Sequence, residues 1–169
     1  MMGDLSDYSH IHSKITKNVW ITGWEGSINA NLLKTNNIKT IICINKELHK
    51  KEKDLKMYKA LGIDHHYIML DDMPDVPIDM HFDRIYDLMM KSVRKGGVLV
   101  HCTMGISRSV TAVISVILKR SINKHPNANI DTILEYVKKR RPCAQPNPGF
   151  YAQLKKYEHR LRNIDLNRS

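Results

Sequence analysis

The segment Val98-Leu99-Val100-His101-Cys102-Thr103-Met104-Gly105-Ile106-Ser107-Arg108-Ser109-Val110 restricts this chain more than any other. A short apolar, β-branched run passes through a loop of a few residues straight into an apolar stretch of helical period. Further strand-like runs stand at Asn18-Val19-Trp20-Ile21-Thr22, Thr40-Ile41-Ile42-Cys43-Ile44 and His66-Tyr67-Ile68-Met69-Leu70, each flanked by turn or helix signals. Between and after them, spacings of three and four link Phe82, Ile85, Met89 and Val93. The same spacings join Ile130, Ile133, Leu134 and Val137, and then Phe150, Leu154, Tyr157 and Leu161. Strands alternating with helices predict an α/β layered domain. Asn129 is expected to cap the helix ending near Arg141-Pro142, and Asn147 before Pro148 to cap the last one. Lys50-Lys51-Glu52-Lys53-Asp54 reads as an exposed helix start.

With 169 residues, 42% of them hydrophobic, the chain buries one sizeable core and predicts a single domain. Residues 1–16 show no sustained period and are expected to form a flexible arm on which His10 and His12 are solvated, with the domain at 17–164 and a tail at 165–169. No apolar stretch approaches the roughly 18 residues of a membrane span, and the N-terminus lacks the build of a secretory signal. Gly3 does not directly follow Met1, so no lipid anchor is expected. The expectation is a cytoplasmic protein with no membrane partner. The basic run Lys138-Lys139-Arg140-Arg141 leaves the nucleus open, although basic residues at a helix end are the simpler account.

Cys43, Cys102 and Cys143 are odd in number and widely spaced, with no Cys/His set at zinc-ligand spacing; neither a disulfide framework nor a metal is indicated. The net charge of +10 is uneven, since residues 119–169 hold 12 Lys/Arg against 4 Asp/Glu. That basic third reads first as solvated helix faces and second as a surface for acidic or phosphorylated partners.

Chemistry concentrates at the strand–loop–helix segment. A loop closing onto a helix N-terminus points backbone N–H groups inward, and the helix dipole adds positive potential, so Thr103, Met104, Gly105, Ile106, Ser107 and Arg108 form a cradle for a phosphate dianion. The same field favours a thiolate at Cys102, at the loop's entrance. Arg108 offers a planar fork for two phosphoryl oxygens, and Gly105 permits the turn around the anion. Ser109 is positioned to donate to the Cys102 sulfur, and His101 to set loop geometry.

His101-Cys102, five residues, then Arg108-Ser109 resembles the signature of the cysteine-dependent protein tyrosine phosphatases, and Gly105-Ile106-Ser107-Arg108-Ser109 resembles their dual-specificity branch. Asn18-Val19-Trp20-Ile21-Thr22-Gly23 is similar to the family's opening strand. Arg141-Pro142 with Pro146-Asn147-Pro148-Gly149-Phe150 and Gln153-Leu154 is similar to its closing loop and helix. The resemblance implies a central, mostly parallel sheet of about five strands flanked by helices, with no metal and no organic cofactor. It also implies hydrolysis of phosphotyrosine and phosphoserine or phosphothreonine in protein substrates through a cysteinyl phosphate.

Expelling an alcohol or phenol oxygen requires a proton, hence a carboxyl on a separate loop. Ile68-Met69-Leu70-Asp71-Asp72-Met73-Pro74-Asp75 resembles the family's acid loop, with Asp72 aligned to the general acid. Asp71 and Asp75 remain alternatives, and Met69 stands where the family often has proline. Cys43, in a predicted strand, reads as core packing ahead of a redox partner for Cys102. Two rival functions are an RNA 5′-phosphatase, favoured only by the basic last third, and a phosphoprotein-binding module with no need of a nucleophile. A lipid phosphatase ranks lower, because no lysine lies between Cys102 and Arg108.

Overall fold

Valine and isoleucine pack well on both faces of a pleated strand, and the β-branched runs accordingly form the middle of a sheet covered on both sides. The computed structural model describes residues 8–47 and 51–166. Its five strands are β1 (Ser13–Thr16), β2 (Val19–Thr22), β3 (Ile38–Ile44), β4 (Asp64–Ile68) and β5 (Gly97–His101), in the order β1-β2-β5-β3-β4. β2, β5, β3 and β4 run parallel, and β1 alone pairs antiparallel with β2.

Among the described residues seven α-helices accompany them: α1 (Trp24–Ser27), α2 (Ala30–Thr35), α3 (Glu52–Ala60), α4 (Phe82–Ser92), α5 (Arg108–Ser121), α6 (Ile130–Lys138) and α7 (Pro148–Leu166), with a 3-10 turn at Ile78–His81 leading into α4. The period of two divides the sheet into two cores. Val19, Ile21, Ile42, Ile44, Val98 and Val100 join α4, α5, α6 and α7 in the larger one, whereas Trp20, Ile41 and Leu99 meet Leu33 and Tyr58 in the smaller. The mostly parallel α/β architecture is thus the expected one. Both predicted asparagine caps form. Asn129 Oδ1 accepts from Thr132 N at 3.0 Å in a full capping box, and Asn147 Oδ1 accepts from Phe150 N at 2.9 Å. No helix among the described residues is long and apolar enough to cross a membrane.

The N-terminal segment departs from expectation. The loose arm expected over residues 1–16 includes Ser13–Thr16, which form β1, and Ser9, which is buried; residues 1–7 lie outside the described residues. A four-residue strand leaves too short a pattern to register as a period, and only its partner β2 reveals it. His12 is half-buried rather than solvated: its Nε2 donates to Gly26 O at 2.7 Å, and Nδ1 accepts from Asn36 Nδ2 at 3.0 Å. Burial, reinforced by the Arg141 charge and opposed by the Gly26 bond, holds its pKa below the ordinary imidazole value. His10 is exposed, as expected. At the other end α7 runs to Leu166, through the expected start of the tail at residue 165. Of the charged stretch at 50–54, Glu52–Asp54 open α3 and Lys50 lies outside the described residues.

Candidate active site

The loop between β5 and α5 lies at the carboxyl end of a central parallel strand, the place where open α/β sheets bind ligands. Its carbonyls are all held outward. Thr103 O accepts from Trp24 N at 2.8 Å, and Ile106 O from Gln145 N at 2.8 Å. Arg141 takes two more, donating from Nε to Gly105 O at 2.6 Å and from Nη2 to Met104 O at 3.1 Å. Ser107 O accepts from Thr111 N, inside the helix. In a trans peptide the N–H points opposite to the carbonyl, so fixing these oxygens outward turns the amides of 104 to 108 inward. Gly105 N accordingly donates to Cys102 Sγ at 3.2 Å. Gly105 has φ +69, and a side chain there would meet Arg141 Nη2 and Thr22 O at 2.5 Å, so glycine is required on both counts.

Cys102 is buried at the base of this ring, with Sγ 3.3 Å from Ser109 Oγ. His101 is wholly buried, and its Nδ1 donates to Cys102 O at 3.1 Å, which fixes the cysteine's backbone. Ser107 is the N-cap of α5, yet its hydroxyl does not cap the helix; the first-turn amides stay open to an anion. Arg108 is 4% exposed, and its guanidinium is braced from three sides. Nη1 donates to Leu70 O at 3.0 Å and to Glu47 Oε2 at 3.2 Å, while Nη2 donates to Thr103 Oγ1 at 3.1 Å. Its Nε is buried with no hydrogen-bond partner among the described residues, a donor left for an incoming acceptor.

The three candidate acids part company. Asp71 turns away to pair with Lys46 Nζ at 2.8 Å, and Asp75 is exposed on the loop. Asp72 faces the cradle: Oδ1 accepts from Ser107 Oγ and from Asn147 Nδ2, both at 2.8 Å, and Oδ2 lies 3.8 Å from Arg108 Nε. Asn147 therefore does two jobs, capping α7 with its oxygen and holding Asp72 with its nitrogen. Its capping role was legible from the following proline; its contact with a residue 75 positions away was not.

A nucleophile and a ring of inward amides on the β5–α5 turn, with a guanidinium at its end and a carboxyl facing it from another loop, are what phosphoryl transfer needs. The family model "Dual specificity phosphatase, catalytic domain" matches residues 19–160. The chain belongs to the dual-specificity phosphatase family. "Dual specificity protein phosphatase 1" of Arabidopsis thaliana is 32% identical over 157 residues, covering 92% of this chain and 73% of that protein. Among solved structures, the Yvh1 phosphatase domain from Chaetomium thermophilum is 30% identical with a TM-score of 0.76, covering 88% of this chain and 95% of that one. A mouse putative dual specificity phosphatase, complexed with zinc tungstate, shares the fold at 23% identity with a TM-score of 0.79, covering 98% of this chain and 97% of that one. This dual-specificity phosphatase is a cysteine-dependent protein phosphatase.

The feature that sequence reasoning missed in this phosphatase is Arg141, taken there for part of a basic helix end. It is wholly buried and also reaches Ser13 Oγ at 3.0 Å, Tyr8 O at 3.0 Å and Ile11 O at 3.3 Å. No carboxylate among the described residues pairs with it, and desolvation lowers its pKa from the usual guanidinium value. Arg141→Met is expected to strand two loop carbonyls and cost about 3 kcal/mol of stability. With the amides no longer aimed, kcat should fall about 10- to 100-fold. Thermal unfolding and nitrophenyl phosphate kinetics on the same sample check both; a variant with full kcat would show that the loop holds its shape without this arginine.

Proposed function

We propose that this domain hydrolyses phosphotyrosine and phosphoserine or phosphothreonine in proteins through a cysteinyl-phosphate intermediate. The observation that carries the reading is the buried Arg108 Nε, without a hydrogen-bond partner among the described residues, beside a ring of inward amides and 3.8 Å from the Asp72 carboxylate. In the first step the Cys102 thiolate attacks phosphorus in line, and Asp72 protonates the leaving oxygen. The amides of 104 to 108 and the Arg108 fork follow the charge as the equatorial oxygens spread. In the second step Asp72 takes a proton from water, water attacks the cysteinyl phosphate, and Ser109 donates to the departing sulfur. His101 positions Cys102 and touches no substrate.

Glu47 lies against Arg108 and Thr103 at the mouth, so an entering phosphate displaces one carboxylate from the guanidinium. Acidic or phosphorylated partners are the expected company for the basic last third. A cavity of ≈ 500 Å³ at the far end of α5 has Arg120 and Lys124 at its edge over a largely apolar lining that includes Ile117, Ala128 and Ile133. The test of substrate class is a comparison of phosphate release from doubly and singly phosphorylated peptides with release from triphosphate-ended RNA. Peptide turnover at least 100-fold above RNA turnover is expected, and the reverse order would overturn the reading.

A further inference from the structure

Three strands bring a thiol and two imidazoles together on the sheet face that carries the smaller core. Cys43 of β3 stands in register with His101 of β5 on one side and with Tyr67 of β4 on the other. Residues in register on parallel neighbours point to the same face, and His65, two positions before Tyr67, shares it. One ligand atom from each of Cys43, His65 and His101 lies within 4.8 Å of the other two. Cys43 and His101 are wholly buried, whereas His65 is partly exposed on the edge strand β4, which gives a way in from solvent.

The tautomer of His101 suits this arrangement. Its Nδ1 carries the proton donated to Cys102 O, so Nε2 carries a lone pair. A ring that donates one N–H to a backbone carbonyl while presenting its other nitrogen is the usual posture of a metal-bound histidine. One sulfur and two nitrogens select zinc-class ions over magnesium or calcium, which take oxygen ligands.

We propose that Cys43, His65 and His101 form a binding site for a thiophilic divalent metal ion of the zinc class, directly behind the phosphate cradle. On binding, the metal–sulfur bond replaces the S–H bond of Cys43, whose proton passes to solvent; both imidazoles bind neutral, and nothing is oxidised or reduced. The fourth position is left to water or to the Tyr67 hydroxyl. Around a tetrahedral ion such donors sit roughly 3.3–3.6 Å apart, so they must close by about an ångström. His101 cannot move that far without drawing on the Cys102 carbonyl. Loading the site is therefore expected to lower turnover, an effect that rests on the phosphatase reading; metal binding itself does not.

Cobalt(II) serves as the probe, added to reduced, metal-free protein. One equivalent should produce a sulfur-to-cobalt charge-transfer band together with the visible bands of a tetrahedral ion, and zinc should bleach both. Cys102→Ser is expected to keep these bands, while Cys43→Ser and His65→Gln lose them; His65, on the edge, provides the variant least disturbing to the core. Circular dichroism on both variants checks that they are folded. Zinc should also inhibit the unmodified enzyme at concentrations about 10-fold or more below those needed for Cys43→Ser. Bands that persist in folded Cys43→Ser and vanish in Cys102→Ser would put the metal on the nucleophile and overturn the proposal, as would the absence of any charge-transfer band. Cobalt bands in a protein inactive towards phosphopeptides would keep the metal site and sink only the phosphatase reading.

Discussion

Cys102→Ser should lose turnover of every phosphomonoester by on the order of 10⁴-fold or more, while phosphopeptide binding persists within about a factor of ten. The two outcomes separate because the cradle is built from groups the substitution does not touch. The amides of 104 to 108 are aimed by Trp24, Arg141 and Gln145, and Arg108 is braced by Leu70 and Thr103. A hydroxyl fits the place of the thiol beside Ser109 and Gly105 N, but a serine hydroxyl is a far poorer nucleophile than a cysteine sulfur. Burst kinetics and calorimetric titration with a phosphotyrosine peptide measure the two quantities. Retention of a tenth of the wild-type rate would mean that phosphate is transferred directly to water, and the covalent route would have to be abandoned.

Asp72→Asn is expected to separate substrates by leaving group. Phenyl phosphate or a phosphoserine peptide needs a proton on its departing oxygen and should slow by about 10²- to 10³-fold. Nitrophenolate departs as a stable anion, and its release should slow by about tenfold at most. The substituted side chain keeps an oxygen to accept from Ser107 Oγ and Asn147 Nδ2, so the loop geometry is preserved and the comparison isolates the proton. Loss of equal size on both substrates would remove Asp72 from the acid role; Asp71, committed to Lys46, has no comparable line to the cradle.

How much of this was visible beforehand varies with the range of the interactions. Both asparagine caps were readable because a cap and its helix lie within four residues, and β2, β3 and β5 because their β-branched runs are continuous; β4, an edge strand over Asp64–Ile68, begins two residues before the expected run His66–Leu70 and leaves Met69 exposed. The cradle was also readable, since strand, loop and helix follow one another without interruption from Val98 to Val110. β1 was not, being four residues long and defined only by its pairing with β2. The burial of Arg141 was not either, because a basic residue after a helix gives no local sign of carbonyls contributed by Tyr8, Ile11, Met104 and Gly105.

The primary structure, read by itself, specified an α/β domain and a cysteine, an arginine and an amide ring on one turn, since hydrophobic period and helix-terminus electrostatics act over a few neighbouring residues. Folding in three dimensions decided which of three carboxylates faces that ring and which guanidinium lies beneath it. It also drew Cys43, His65 and His101, 58 positions apart at their extremes, onto one patch of sheet. No spacing rule anticipates such a cluster: strand order and register, rather than separation along the chain, set which side chains become neighbours.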